Sequence, residues 1–150
     1  MTAKSSNSKL PRGPHAPKPR PDEKVRKQSG ADLQNGWLAR HGTMSLTDER
    51  LVFVPTILDT ALGAKRREFP LDQVTTIERF PRHPNDLPRG GRRPRLLVHT
   101  DACIYEFMLP DLDAWIDTLE KVYVMRKNRG LGDGPNVIRE GVENFMLAEE

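Results

Sequence analysis

Polar and apolar residues alternate along much of this chain, beginning most clearly at Thr43-Met44-Ser45-Leu46. A period of two puts Met44 and Leu46 on one strand face and Thr43 and Ser45 on the other. Thr47, Asp48, Glu49 and Arg50 then supply a turn. Leu51, Val52, Phe53 and Val54 follow as a strand apolar on both faces, expected near the middle of a sheet. The same reading places strands at about 31–39, 42–47, 50–56, 66–71, 74–80, 94–99 and 102–108. His99 to Ala102 forms the turn before the last of them, in which Tyr105 and Phe107 share a face opposite Ile104 and Met108.

The period then changes. Leu112, Trp115, Ile116, Leu119, Val122 and Tyr123 fall at steps of three and four, the stripe of an amphipathic helix. Asp111 is placed to cap it, Asp113 suits the positive end of its dipole, and Lys121, Arg126 and Lys127 suit the other end. Gly130 can end it. A second helical spacing, Ile138, Val142, Phe145 and Met146, predicts a short helix after Pro135 and Asn136, weakened by Gly141.

Composition confines the folded part. Hydrophobic residues make up 36% of the 150 positions, against about 45–50% in an ordinary globular chain, and there are 13 prolines. Residues 1–30 carry Pro11, Pro14, Pro17, Pro19 and Pro21 among eight basic and two acidic residues, a net charge of +6. Residues 31–150 carry 16 basic and 19 acidic residues, a net charge of −3, so the basic character belongs to the tail. The tail has too little apolar area to offset ordering and is expected to be disordered, with local polyproline II character. A solvated basic tail is the plainer reading; the spacing Pro11, Pro14, Pro17 also fits a proline-rich ligand for a grooved partner. The expected organisation is a tail over 1–30, a domain over 31–128 and an acidic extension over 129–150.

Cys103 is the one cysteine, so no internal disulfide forms and a reducing compartment fits; a small buried thiol in a strand is its expected role. No apolar run is long enough to span a bilayer, and the N-terminus lacks a signal-peptide core. A cytoplasmic protein, peripheral at a membrane at most, is expected.

Three blocks carry a family likeness. They are Ala31 to Gly36 followed by Gly42 to Pro55 with its Leu46-Thr47-Asp48 and Arg50-Leu51-Val52-Phe53 strings, Phe69 to Glu78, and Tyr105 to Phe107 followed by the helix holding Trp115. Together these resemble a bacterial-type GRAM domain over roughly residues 31–125. The resemblance implies a mainly β, pleckstrin-homology-like fold, a partly open barrel of about seven antiparallel strands closed by one C-terminal helix. It also implies binding rather than catalysis, since family members contact phosphoinositides, other anionic lipids or proteins. An adaptor that contacts a protein or an anionic membrane surface is therefore expected, without cofactor.

The residues offer catalysis little. His15, His41, His83 and His99 lie in the tail, a turn, a loop and a strand end, none at ligand spacing from another, and Cys103 has no partner thiol, so neither a metal site nor a catalytic site is expected. The phosphoinositide pattern of the pleckstrin-homology group wants cations on and after the first strand. Here Arg40, His41 and Gly42 read as a short turn, with Thr43 and Ser45 where basic residues would stand, so the usual headgroup pocket is expected to be missing. Two basic groups remain for an anionic surface. One is Lys65, Arg66 and Arg67 before the fourth strand; the other is Arg82, Arg89, Arg92, Arg93 and Arg95 in the proline-rich loop from Phe80. These are expected at opposite ends of the barrel, and a solvated loop is the plainer reading of the second. That loop and the tail would alternatively give nonspecific nucleic-acid binding. The stripe Ile138, Val142, Phe145, Met146 would either pack on the barrel or lie in a partner's groove.

Overall fold

The computed structural model describes residues 9–12, 16–35, 38–80 and 94–139. Its elements are β1 (Val25–Asn35), β2 (Leu38–Thr47), β3 (Arg50–Pro55), α1 (Ile57–Ala61), β4 (Arg67–Pro70), a 3-10 turn (Leu71–Gln73), β5 (Val74–Phe80), β6 (Arg95–Thr100), β7 (Ile104–Met108), α2 (Leu112–Asn128) and β8 (Asn136–Ile138). They form one sheet in the order β4-β3-β2-β1-β7-β6-β5-β8. All pairings are antiparallel except β5 with β8, which is parallel. β4 and β5 follow one another in sequence but do not pair, so the sheet stays open there.

The alternation of β2 works as expected. Met44 and Leu46 are fully buried and meet Phe53 and Leu51 across the β2–β3 pairing. The aromatic centre is built from Phe53, Phe69, Tyr105 and Phe107, with ring centroids 4.8–6.0 Å apart. α2 lays Leu112, Trp115, Ile116, Leu119, Val122 and Tyr123 on this core. Its polar atoms are tied as well: the Trp115 indole N–H donates to Ser29 Oγ at 3.1 Å and the Tyr123 hydroxyl to the Leu71 carbonyl at 2.9 Å. Burial raises the Tyr123 pKa well above the ordinary phenol value. Arg126 reaches the Asp48 carbonyl at 3.0 Å and pairs with Asp72. Gly130, at φ +77°, turns the chain away just past the helix.

Several expectations change. The β1–β2 pairing runs as far as Asn35 with Leu38, and Ala31 pairs with Gly42, so residues 40–42 lie within the ladder rather than in a turn. Gly42 lies inside β2 between Ala31 and Pro55, where a Cβ would stand 2.3 Å from the Val54 carbonyl oxygen. Its glycine serves close packing, not a turn.

The sheet also starts earlier than Ala31. β1 begins at Val25, because pairing with β2 satisfies backbone groups whatever the side chains. Ahead of it, residues 16–24 lie against the outer face of the sheet. Pro17 is buried, and the Glu23 side chain, 2% exposed, grips Arg50 at 2.8 and 2.9 Å. Arg50 further pairs with Glu68 and donates to the Lys18 carbonyl at 2.7 Å. Thr47 Oγ1 accepts from the Glu49 and Arg50 amides and donates to Glu23. The polar residues of the string that begins at Leu46 thus hold a turn and anchor the segment before β1.

Cys103 is exposed in the β6–β7 turn rather than buried in a strand; its amide donates to Thr100 Oγ1 at 3.1 Å. Asp111 occupies the cap position of α2 in a left-handed conformation, φ +49°, without a capping hydrogen bond from its side chain. Ile138 lies in β8, where a helix was expected, and Val142, Phe145 and Met146 lie outside the described residues. Among the described residues no helix is long and apolar enough to cross a membrane.

Candidate anion-binding pocket

Because the β1–β2 pairing runs to Asn35 and Leu38, Arg40 stands within a strand rather than in a turn. Arg40 pairs with Leu33 across β1–β2, and cross-strand partners share a face. Leu33 points into the core, so Arg40 projects over its mouth. The chain from α1 to β4 brings Lys65 and Arg67 to the same place, and the β6–β7 turn brings Cys103, Ile104 and Tyr105. These residues, with Phe53 and Gln34, line a cavity of about 340 Å3.

Among the described residues the lining holds three cationic side chains, Arg40, Lys65 and Arg67, and no carboxylate. Arg67 stands over the Tyr105 ring at 5.9 Å, a cation–π contact that orients the guanidinium without neutralising it. Arg40 donates to the Leu62 carbonyl at 3.3 Å, tying the β2 end to the chain after α1. α2 touches Ser29, Leu71 and Asp72 and contributes nothing to the lining.

The wall beside the pocket is α1, placed by a short capping arrangement. Thr56 Oγ1 accepts from the Asp59 amide at 3.2 Å. Asp59 is buried, and its carboxylate accepts from the His41 amide at 2.5 Å. On the other face of β1 and β2, His41 Nδ1 lies 2.5 Å from Asp32 Oδ1. That hydrogen bond and the Asp32 charge raise the His41 pKa above its ordinary value.

No protein-family model matches the chain, and no curated protein does. Solved structures do. The hSac2 domain from the human phosphoinositide phosphatase Sac2 superposes with a TM-score of 0.53 at 11% identity, covering 81% of this chain and 80% of that one. The Vps36 N-terminal PH domain superposes at 0.51 with 16% identity, covering 73% and 89%. The C-terminal domain of an unknown protein from Leishmania infantum gives 0.50 at 14% identity, covering 67% and 84%. The fold is pleckstrin-homology-like. At these identities the likeness concerns the fold alone.

Within this pleckstrin-homology-like frame the expected cations separate. Lys65 and Arg67 join the pocket, whereas Arg66 pairs with Glu68 at 3.1 Å and donates to the Ala16 carbonyl at 2.8 Å. Arg95 is 2% exposed and pairs with Glu106 at 2.9 Å, so it is withdrawn from any surface role. Arg82, Arg89, Arg92 and Arg93 lie outside the described residues. The residue before Phe80 is tied to α2, through Arg79 and Asp113 at 2.9 Å, rather than to the pocket. Ile138 is half-exposed in β8, and Arg139 beside it pairs with Asp117 and Glu120 of α2.

Arg40 is hidden in the sequence because the alternation places a turn on it, and α1 because five residues are too few for a helical period to show. A signal for α1 was present: Thr56 and Asp59 stand at the spacing of a helix-start box.

Proposed function

We propose that this chain is a non-enzymatic, GRAM- and pleckstrin-homology-like binding module whose pocket takes up a phosphate-bearing anion of the lipid-headgroup class. The observation that carries this reading is the convergence of Arg40, Lys65 and Arg67 on one cavity whose lining, among the described residues, has no carboxylate. Guanidinium groups bind phosphate through paired charge-assisted hydrogen bonds, and a lysine adds a mobile point charge. A volume of about 340 Å3 is at the small end of ligand sites and suits a headgroup better than a nucleotide. The expectation that the usual headgroup pocket is missing takes Arg40 as part of a turn; in the β1–β2 ladder Arg40 instead pairs with Leu33, which supports the present reading.

Inositol hexakisphosphate is a suitable soluble probe. Calorimetry at low salt is expected to show binding that weakens as salt rises, and Arg67→Glu together with Lys65→Glu is expected to weaken it at least about tenfold. Absence of binding at low salt, or an unchanged affinity in the double variant, would overturn the reading. The nucleic-acid alternative draws no support from Arg95, the described arginine of its loop, which is buried and paired.

A further inference from the structure

α1 is built inside out. A short surface helix ordinarily buries its aliphatic residues and exposes its charges. Here Asp59 is buried and hydrogen-bonded to the His41 amide, while Ile57, Leu58 and Leu62 are 85%, 71% and 62% exposed. Leu58 and Leu62 are neighbours one turn apart, and Leu62 leads directly into Gly63 of the pocket lining. Ile104 of the lining is 59% exposed, and Leu38, two residues before Arg40 on β2, is 56% exposed. Five of the eight exposed large hydrophobic residues among the described residues therefore lie in the lining itself or in α1 and β2, within two residues of a lining residue or on the helix that leads into one. Such a gathering marks an interaction surface.

We propose that α1, with Leu38 and Ile104, enters the headgroup–acyl boundary of an anionic bilayer while Arg40, Lys65 and Arg67 hold a headgroup at the same level. The proposal rests on the headgroup reading above and adds the bilayer as the source of that headgroup. Charge complementarity selects this occupant. A second copy docked face to face would set three cations against the same three, with no carboxylate in the lining to answer them. An anionic bilayer offers negative charge to the cations and apolar chains to the exposed aliphatic residues together.

The test uses the full chain as Cys103→Ser, first matched to the parent chain in hexakisphosphate affinity because Cys103 lines the pocket, so that one introduced thiol can carry an environment-sensitive NBD dye. Leu58→Cys places the dye on α1, and Val124→Cys places it on α2, where the native side chain is 58% exposed and away from the pocket. With phosphatidylcholine vesicles containing phosphatidylserine and phosphatidylinositol 4-phosphate, the dye at 58 is expected to shift to the blue and to be quenched by brominated lipid. The dye at 124 is expected to do neither. In sedimentation, Ile57→Ser with Leu58→Ser is expected to bind these vesicles at least about tenfold more weakly while keeping its affinity for inositol hexakisphosphate.

An unshifted dye at 58 on protein that sediments with vesicles would overturn the proposal, as would unweakened sedimentation of the double serine variant. Hexakisphosphate binding without vesicle binding would overturn α1 insertion and leave the headgroup reading standing. Vesicle insertion without hexakisphosphate binding would overturn the headgroup reading and, with it, the part of the proposal that seats a headgroup on Arg40, Lys65 and Arg67.

Discussion

Gly42 shows how one residue can be read correctly as important and wrongly as to why. In sequence, a glycine before a polar–apolar alternation marks a turn. In the fold it sits mid-strand, where a Cβ would meet the Val54 carbonyl oxygen, Phe53 Cζ and Pro55 Cα at 2.3–2.8 Å. Two of those three atoms are backbone and cannot rotate away. Gly42→Ala is therefore expected to destabilise the protein by about 1–3 kcal/mol, as an overpacked core position does, read as a lower urea midpoint. An unchanged midpoint would mean that β2 and β3 can separate at this point without loss. Arg95 makes the complementary case. Its charge was legible, and its burial against Glu106 was not, because Glu106 lies on a strand paired through tertiary folding.

Among elements, the segment before β1 departs furthest from its sequence. Its prolines and lysines describe a chain unable to form a core of its own. It is held instead from outside, through Glu23 and the Lys18 carbonyl on Arg50 and the Ala16 carbonyl on Arg66. Burial acts to raise the Glu23 pKa, but hydrogen bonds from Arg50 and Thr47 and the Arg50 charge outweigh it and hold the carboxyl below its ordinary value. A depressed carboxylate stabilises the fold above its unfolded pKa and loses that contribution as pH falls through the folded value. Glu23→Gln is thus expected to cost about 3 kcal/mol near pH 7, with the gap to the parent narrowing as acid protonates Glu23 in the parent. Urea titrations at both pH values check this; a gap that stays constant into acid would remove the ion pair as its cause. α1 illustrates the opposite limit. Its start was written in Thr56 and Asp59, but five residues are too few for a periodic pattern to show.

For the whole molecule, α2 and the sheet share one hydrophobic core in which Trp115 is fully exposed to neither solvent nor edge. Unfolding should therefore be a single event. In a Trp37→Phe background, Trp115 fluorescence and far-ultraviolet circular dichroism are expected to give the same thermal midpoint. A fluorescence midpoint well below the dichroism midpoint would show α2 leaving the sheet independently. Charge has the same global character: the negative net charge of residues 31–150 gave no sign of a cationic site. What matters is that three cations converge on a cavity whose lining excludes carboxylates, which net charge does not record.

Local periods alone are enough to specify the β2–β3 hairpin, the strand from Ile104 to Met108 and the Trp115 helix. Periods of two and of three to four express which face of a segment meets the core, and each segment carries that information within itself. Tertiary structure decided the register of β1 on β2, the anchoring of residues 16–24, the burial of Arg95 and the meeting of Arg40, Lys65 and Arg67. Each of these depends on pairing between distant segments. Pairing β1 with β2 as far as Asn35 and Leu38 puts Arg40 in a strand and over a cavity shared with Lys65 and Arg67, in a chain whose local pattern spoke against a cationic pocket.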